Sequence, residues 1–324
     1  MSYNYSNKTL FEIKSDVGRY VYGGWLSFVV LCSLLGDITI LIASIKYNAI
    51  KLHKMIVAFI QHIAICDLLC ALCILPTVLY IIDESSSYIF EYTWFFMKYY
   101  SVCVSASLIA AMALGKLLTL KYPLRAASWS KRQAHMICAT IWAILPCIPA
   151  MHLLVDKTDM IFDYRVYNYA YMYSSSIWRP LLPLLALIAL FAPNCTIIIS
   201  TVLLLKEARK VVIGTTECLR WQGIMTVVLS ATVYSVSYLP IVAYFLAEPF
   251  VEKDPSVPGP FYTEFYTIAT SVGYINVLAN FFLYSLTVRS FRSFLKTEFR
   301  PKCPLSFNTN RRGKKLISNR TSWF

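Results

Sequence analysis

The stretch Met55–Ile82, MIVAFIQHIAICDLLCALCILPTVLYII, carries one ionisable acid, Asp67, in an otherwise largely apolar run. It exceeds the roughly 20 apolar residues that cross about 30 Å of hydrocarbon, so it reads as a transmembrane helix. Six more stretches of this kind surround it: Tyr22–Ile45, Tyr92–Tyr122, Met136–Leu154, Leu181–Leu205, Ile224–Leu246 and Phe265–Leu286. Seven spans predict an all-α membrane protein, a seven-transmembrane helix bundle. A hydrophobic content of 58% and a mean hydropathy of +0.57 agree with that class, and the bundle itself is the core.

Charges between the spans sort by sign onto alternate connections. Lys46, Lys51 and Lys54 stand in one, Lys116, Lys121, Arg125, Lys131 and Arg132 in another, and Lys206, Arg209, Lys210 and Arg220 in a third. With the segment from Arg289 to Arg320, this side holds most of the 30 Lys and Arg residues against three acids, Glu207, Glu217 and Glu298. Connections rich in Lys and Arg stay in the cytoplasm. The expected arrangement is a plasma-membrane protein with an extracellular N-terminus (1–21), a seven-transmembrane domain (22–286), an amphipathic juxtamembrane helix (287–299) and a basic cytoplasmic tail (300–324). The net charge of +13 does not point to nucleic acid, because the basic residues lie where anionic inner-leaflet lipid and acidic cytoplasmic partners meet them. The first apolar run follows Asp16 and Arg19 and is long enough to span, so it reads as its own insertion signal rather than as a cleaved leader.

Asn4-Tyr5-Ser6 and Asn7-Lys8-Thr9 place two glycosylation acceptors, Asn4 and Asn7, in the extracellular start. Asn194-Cys195-Thr196 falls inside a span and Asn319-Arg320-Thr321 in the cytoplasm, where neither is modified. Of the 10 cysteines, Cys32, Cys66, Cys70, Cys73, Cys103, Cys138, Cys147 and Cys195 are intramembrane, and Cys218 and Cys303 are cytoplasmic. No extracellular disulfide is expected. Buried cysteines serve as small apolar packing residues, and Cys66, Cys70 and Cys73 lack the His or acid partners of a metal site.

Polar side chains in hydrocarbon are costly and carry the mechanism or the packing. Asp37 lies in the first span, Asp67 in the second, Ser107 in the third, and Asn276 and Asn280 share one face of the seventh. Together they describe a polar pocket for a sodium ion or a shared proton. They equally describe interhelical hydrogen bonds that hold the bundle. Beyond that sodium, no cofactor and no metal is expected.

Several residues in register resemble the markers of rhodopsin-like (class A) G-protein-coupled receptors. They are Asp67 in IAICD, Trp142 in the fourth span, Phe191-Ala192-Pro193 in the fifth, Ser237-Tyr238-Leu239-Pro240 in the sixth and Asn280-Phe281-Phe282-Leu283-Tyr284 in the seventh. Lys116 with Pro123-Leu124-Arg125 resembles the second cytoplasmic loop, and Tyr284 with Phe291 the start of the eighth helix. The resemblance implies an extracellular small-molecule or peptide ligand, a heterotrimeric G protein or arrestin inside, and transducer contacts at Lys116, Arg125, Arg220 and Tyr284. The chain also departs from the pattern. Gly115-Lys116-Leu117 replaces Asp-Arg-Tyr, Tyr238 replaces the switch tryptophan, Phe281 the proline of the seventh span, and Asp37 the asparagine of the first; the family disulfide is missing at both ends. This is a divergent member.

Gly115 supplies no carboxylate to hold Lys116, and Arg220 repeats its charge, so the family's resting clamp is absent. Lys116 then either meets a partner's carbonyls as a flexible point charge or reaches to the inner headgroups. Residues Thr287–Phe299 set Val288, Phe291, Phe294 and Leu295 against Arg289, Arg292 and Lys296, the pattern of a basic helix on a membrane surface. Cys303 just beyond is a palmitoylation acceptor or a free thiol.

On the outer side, Lys98 replaces the aspartate of amine-binding relatives and Tyr274 the retinal-bearing lysine of opsins. Lys98 and Arg179, with Trp94, Tyr99, Tyr238 and Tyr274 as aromatic walls, form a site for an anionic or amphipathic small molecule or a peptide carboxyl group. The alternative is that Lys98 snorkels outward or pairs with Glu264. A transporter or channel would also carry membrane acids, but no internal repeat or pair of broken helices is visible. A receptor-like protein that does not engage G proteins fits the departures. An enzyme is not expected, because the 4 histidines, His53, His62, His135 and His152, are scattered over loops and span ends.

Overall fold

The computed structural model describes residues 16–50, 52–83, 88–124, 129–147, 187–209, 217–247 and 260–298. They form helices α1 (Asp16–Ile45), α2 (Lys54–Asp83), α3 (Tyr88–Lys121), α4 (Lys131–Ile144), α5 (Ala192–Arg209), α6 (Glu217–Ala247), α7 (Pro260–Thr287) and α8 (Arg289–Glu298). The seven-helix bundle with a short eighth helix is therefore the fold. Among the described residues, α1, α2, α3, α6 and α7 are long and apolar enough to cross a membrane. Asn4, Asn7, Arg125, Arg179, Cys303 and the tail lie outside the described residues, as do the side chains of Trp94, Lys98 and Arg220.

Packing runs α1 to α2 to α3, then α5, α6 and α7, and α7 returns to α1. Helix α3 also touches α4 and α6, which makes it the central strut, and α4 rests outside against α2 and α3. The shared core is Phe59, Ile60 and Ile63 of α2, Leu108, Ile109 and Met112 of α3, Tyr234 of α6 and Tyr284 of α7. Leu31, Leu35, Ile38 and Ile42 form an exposed stripe along α1, and Ile198, Ile199 and Val202 another on α5. In water such stripes would be a liability; against lipid tails they cost nothing.

Local sequence explains the helix ends. Ser130 caps α4 reciprocally: its Oγ accepts from the Gln133 backbone N–H at 3.2 Å, and Gln133 Oε1 accepts from the Ser130 N–H at 2.8 Å. Beyond α1, Asn48 takes a left-handed φ of 46°, a conformation its short polar side chain tolerates, and Ala49 N–H donates back to the Ala43 carbonyl. A widened π-turn, Leu187–Phe191, precedes α5 where Pro193 can donate no backbone hydrogen bond.

Helix α8 packs Phe291, fully buried, edge-on against Phe281 of α7, while Phe294 meets Tyr47 beyond α1 at 5.1 Å between ring centres. Arg289, Arg292 and Lys296 stay on the outside of the helix. The apolar-in, basic-out arrangement is the one its sequence pattern predicts. Lys54, Lys121, Lys131, Arg209 and α8 all belong to one end of the bundle, here called the basic end.

Candidate functional site

Helices α1, α2 and α7 bring the predicted acids and amides together at the centre of the bundle. Asp37, Asp67, Asn276 and Asn280 are all at most 2% exposed. Asn280 Nδ2 donates to Asp67 Oδ2, which ties α7 to α2. On α1, Ser33 Oγ donates to Asp37 Oδ2 at 2.8 Å from one turn away. The two carboxyl groups are close enough to act on one another, and among the described residues no basic side chain acts on either. Asp37 Oδ1 and Asn276 Nδ2 are buried without a hydrogen-bond partner.

That inventory suits a small hard cation or a proton. Two buried carboxyls with no counter-charge cannot both ionise cheaply, and an oxygen-rich set with an orphaned carboxylate oxygen is the donor chemistry such a cation takes. Asp37 and Asp67 would hold it.

On α3 the structure places the buried hydroxyls differently from the sequence reading. Ser107 is half-buried, whereas Ser105 is 3% exposed with its Oγ unpaired, and Ser101 is 1% exposed. The helical repeat explains this: Ser101 and Ser105 are one turn apart on the buried face, and Ser107 points away from both. Ser33 was missed altogether, although its spacing of four from Asp37 marks it as a same-face neighbour.

Along α6 and α7, aromatic hydroxyls flank this centre. Tyr234 and Tyr238 stack at 4.5 Å, and Tyr238 lies against Gly273 of α7, where a Cβ would sit 3.5 Å from its Cε1. Tyr284 is fully buried, its hydroxyl facing Ser230 of α6. Gly36, beside Asp37, lets α1 approach the residue that stands for the family proline: a Cβ there would come within 2.8 Å of Phe281 Cβ. Of the proposed outer-site residues, Tyr238 and Tyr274 are buried, and Tyr99 is half-buried on α3. Tyr274 packs with Leu26, Val29, Cys70 and Ile74, between α1, α2 and α7.

At the basic end, Lys116 is neither a free point charge nor a headgroup contact. It is 6% exposed, and its side chain crosses from α3 to α6, where a Cβ on Gly223 would lie 3.2 Å from Nζ. The reason is room: Gly223 leaves the lysine a place inside the bundle that any larger residue would contest. Partial desolvation, then the charges of Lys116 and Lys54, lower the His53 side chain from its ordinary value, so the Lys116 charge is felt across this end. An α6–α7 contact lies nearby in sequence, with Thr226 Oγ1 donating to Thr287 Oγ1 at 2.9 Å.

Helix α4 is held by two contacts that the sequence reading did not foresee. Tyr100 Oη donates to the Trp142 carbonyl at 2.7 Å with the rings edge-on, and His62 and His135 meet across α2 and α4. None of the eight cysteines whose side chains are described forms a disulfide. Among the described residues no group of three or more His, Cys, Asp or Glu side chains could hold a metal ion.

A search of curated proteins found no match. The family profile described as "7 transmembrane receptor (rhodopsin family)" matches residues 36–284, which takes in Asp37 at one end and Tyr284 at the other. The chain belongs to the rhodopsin family of seven-transmembrane receptors.

Proposed function

We propose that this chain is a plasma-membrane receptor that binds an extracellular ligand at its outer end and passes the signal to a heterotrimeric G protein or arrestin at its basic, cytoplasmic end. The observation that carries this reading is the buried polar centre. A buried hydrogen bond from Asn280 to Asp67 joins α7 to α2, flanked by the Tyr238–Tyr234 stack on α6 and by Tyr284 on α7. Such a centre has two charge states, and a ligand or cation that prefers one of them shifts the bundle toward it. A bound sodium ion would supply the positive charge that lets both carboxyls ionise; a shared proton does the same work with one of them neutral.

Orientation rests on the excess of Lys and Arg at the end that includes α8. The outer site rests on Lys98 and Arg179, whose charges favour a ligand with an acidic group, beside Tyr99, Tyr238 and Tyr274. Transducer contact is assigned to the basic end, with Lys116, Arg125, Arg220 and Tyr284 nearest the mouth in sequence. Because Lys116 is folded onto Gly223, it reaches a partner only when α3 and α6 part. Asn4 and Asn7 as glycosylation sites and Cys303 as a palmitoylation site follow from the same orientation.

The test is a screen of ligand pools against a panel of transducer reporters, in cells with and without the chain. A saturable response that needs the chain is expected. Uptake or current driven by a solute, with every reporter silent, would instead establish a transporter or channel.

A further inference from the structure

Two histidines far apart in sequence meet across the seam between α2 and α4. His62 Nε2 and His135 Nδ1 are 3.0 Å apart, with ring centres at 5.2 Å. That separation is an N–H···N hydrogen bond, in which one ring donates and the other accepts. The contact is part-buried, and His135 stands in the first turns of α4, just beyond Lys131 and Arg132. Neither ring belongs to the polar centre around Asp67 or to the mouth at Lys116.

We propose that His62 and His135 form a proton-binding pair that fastens α4 to α2: one added proton, taken at an outer ring nitrogen, turns the donor ring into an imidazolium whose N–H still bridges Nε2 and Nδ1, and a second one opens the pair. Histidine's ordinary value near 6.5 places its change of charge within the cellular range. An imidazolium that donates to a neutral imidazole makes a charge-assisted bond, stronger than the neutral one it replaces. Two imidazoliums have a hydrogen on every ring nitrogen, so no lone pair remains to accept, and two like charges then stand in contact. The pair therefore holds one proton under conditions where two separate histidines would hold two.

The surroundings oppose a second charge on the pair. Lys131 acts on His135, and His135 on His62. One turn further along α2 and α4 lie the thiols Cys66 and Cys138, both buried, and Cys66 donates to the Ser101 carbonyl of α3. From α3, Tyr100 turns its hydroxyl to the Trp142 carbonyl. Among the described residues no carboxylate acts on either ring, so nothing offsets a second charge. This site does not depend on the receptor reading; if the basic end is cytoplasmic, it is the acidity of the cytoplasm that the seam reads.

The experiment uses the full chain in nanodiscs, carbon-13 labelled at histidine and titrated by NMR between about pH 8 and pH 5. His62 and His135 are expected to share a two-step titration, as interacting sites do. His135→Gln keeps a donor and an acceptor, and is expected to turn the His62 curve into a single step. Thermal denaturation gives the second readout. On lowering the pH from about 7.5 to 5, wild type is expected to lose about 2–4 °C more than His135→Gln, because the unfolded chain binds the second proton that the folded pair refuses. Should His135→Gln not fold, His62→Gln reads the same pair from the other ring. A single-step His62 curve that is the same in wild type and variant, or equal losses of stability, would overturn the proposal.

Discussion

Asp67 ties the polar centre together, and it was readable in the sequence because an acid alone in an apolar run is too costly to persist without a role. Its partner Asn280 was readable too, from its place in the seventh span. Ser105 was not, since the third span offers several hydroxyls and only the rotation of the helix decides which is buried; Ser33 was hidden in the same way. The Asp37–Asp67 pocket predicts a cation effect that needs no ligand. Thermal stability measured in sodium and in a bulky organic cation should differ in wild type, and the difference should vanish in Asp67→Asn. Equal behaviour of both proteins would count against the pocket. On the outer side, Lys98→Ala is expected to weaken an acidic agonist by about ten- to a hundredfold, the worth of one charge-assisted hydrogen bond, and Lys98→Arg to retain part of the potency. An activating ligand that is a simple cationic amine, or one indifferent to Lys98→Ala, would remove Lys98 from the site.

At the scale of elements, the apolar stretches placed α2 and α3 to within a few positions, α1, α6 and α7 begin earlier than expected, α4 runs Lys131–Ile144 rather than starting at Met136, and the amphipathic pattern of α8 survived intact. Helix α8 begins at Arg289 and ends at Glu298, a little inside the range expected from sequence. What the pattern could not convey was contact between helices. Lys116 read as an exposed cation because sequence gives no depth, and the space that receives it belongs to Gly223, far along the chain on α6. Gly115-Lys116-Leu117 therefore lacks the family's acidic clamp yet still bridges α3 to α6. Restoring Asp-Arg-Tyr at these three positions is expected to lower ligand-independent signalling, by roughly five- to thirtyfold if the clamp is worth about 1–2 kcal/mol. Basal output unchanged at equal surface expression would show that the Lys116 seat already does the clamp's work. For α8, Phe291→Ala removes a fully buried ring that α7 covers. Amide exchange across Arg289–Glu298 should rise by about tenfold or more while α3 is unaffected, since a local element opens at its own cost. Unchanged exchange would mean that α8 is held by the membrane rather than by Phe291.

For the whole molecule, the ring of helices closed by α7 on α1 gives one bundle with a polar centre and a basic end, and the proposed outer site takes its charged members from sequence alone. The central claim is that this bundle drives a cytoplasmic transducer, and its missing acidic clamp means that it should do so to some extent without ligand. The direct measurement is guanine-nucleotide exchange on a panel of purified heterotrimeric G proteins, with the full chain in nanodiscs and empty nanodiscs as the reference. At least one heterotrimer is predicted to exchange several-fold faster with the chain than without it, and Asp67→Asn to alter this rate. Exchange indistinguishable from empty nanodiscs across the whole panel would contradict the claim.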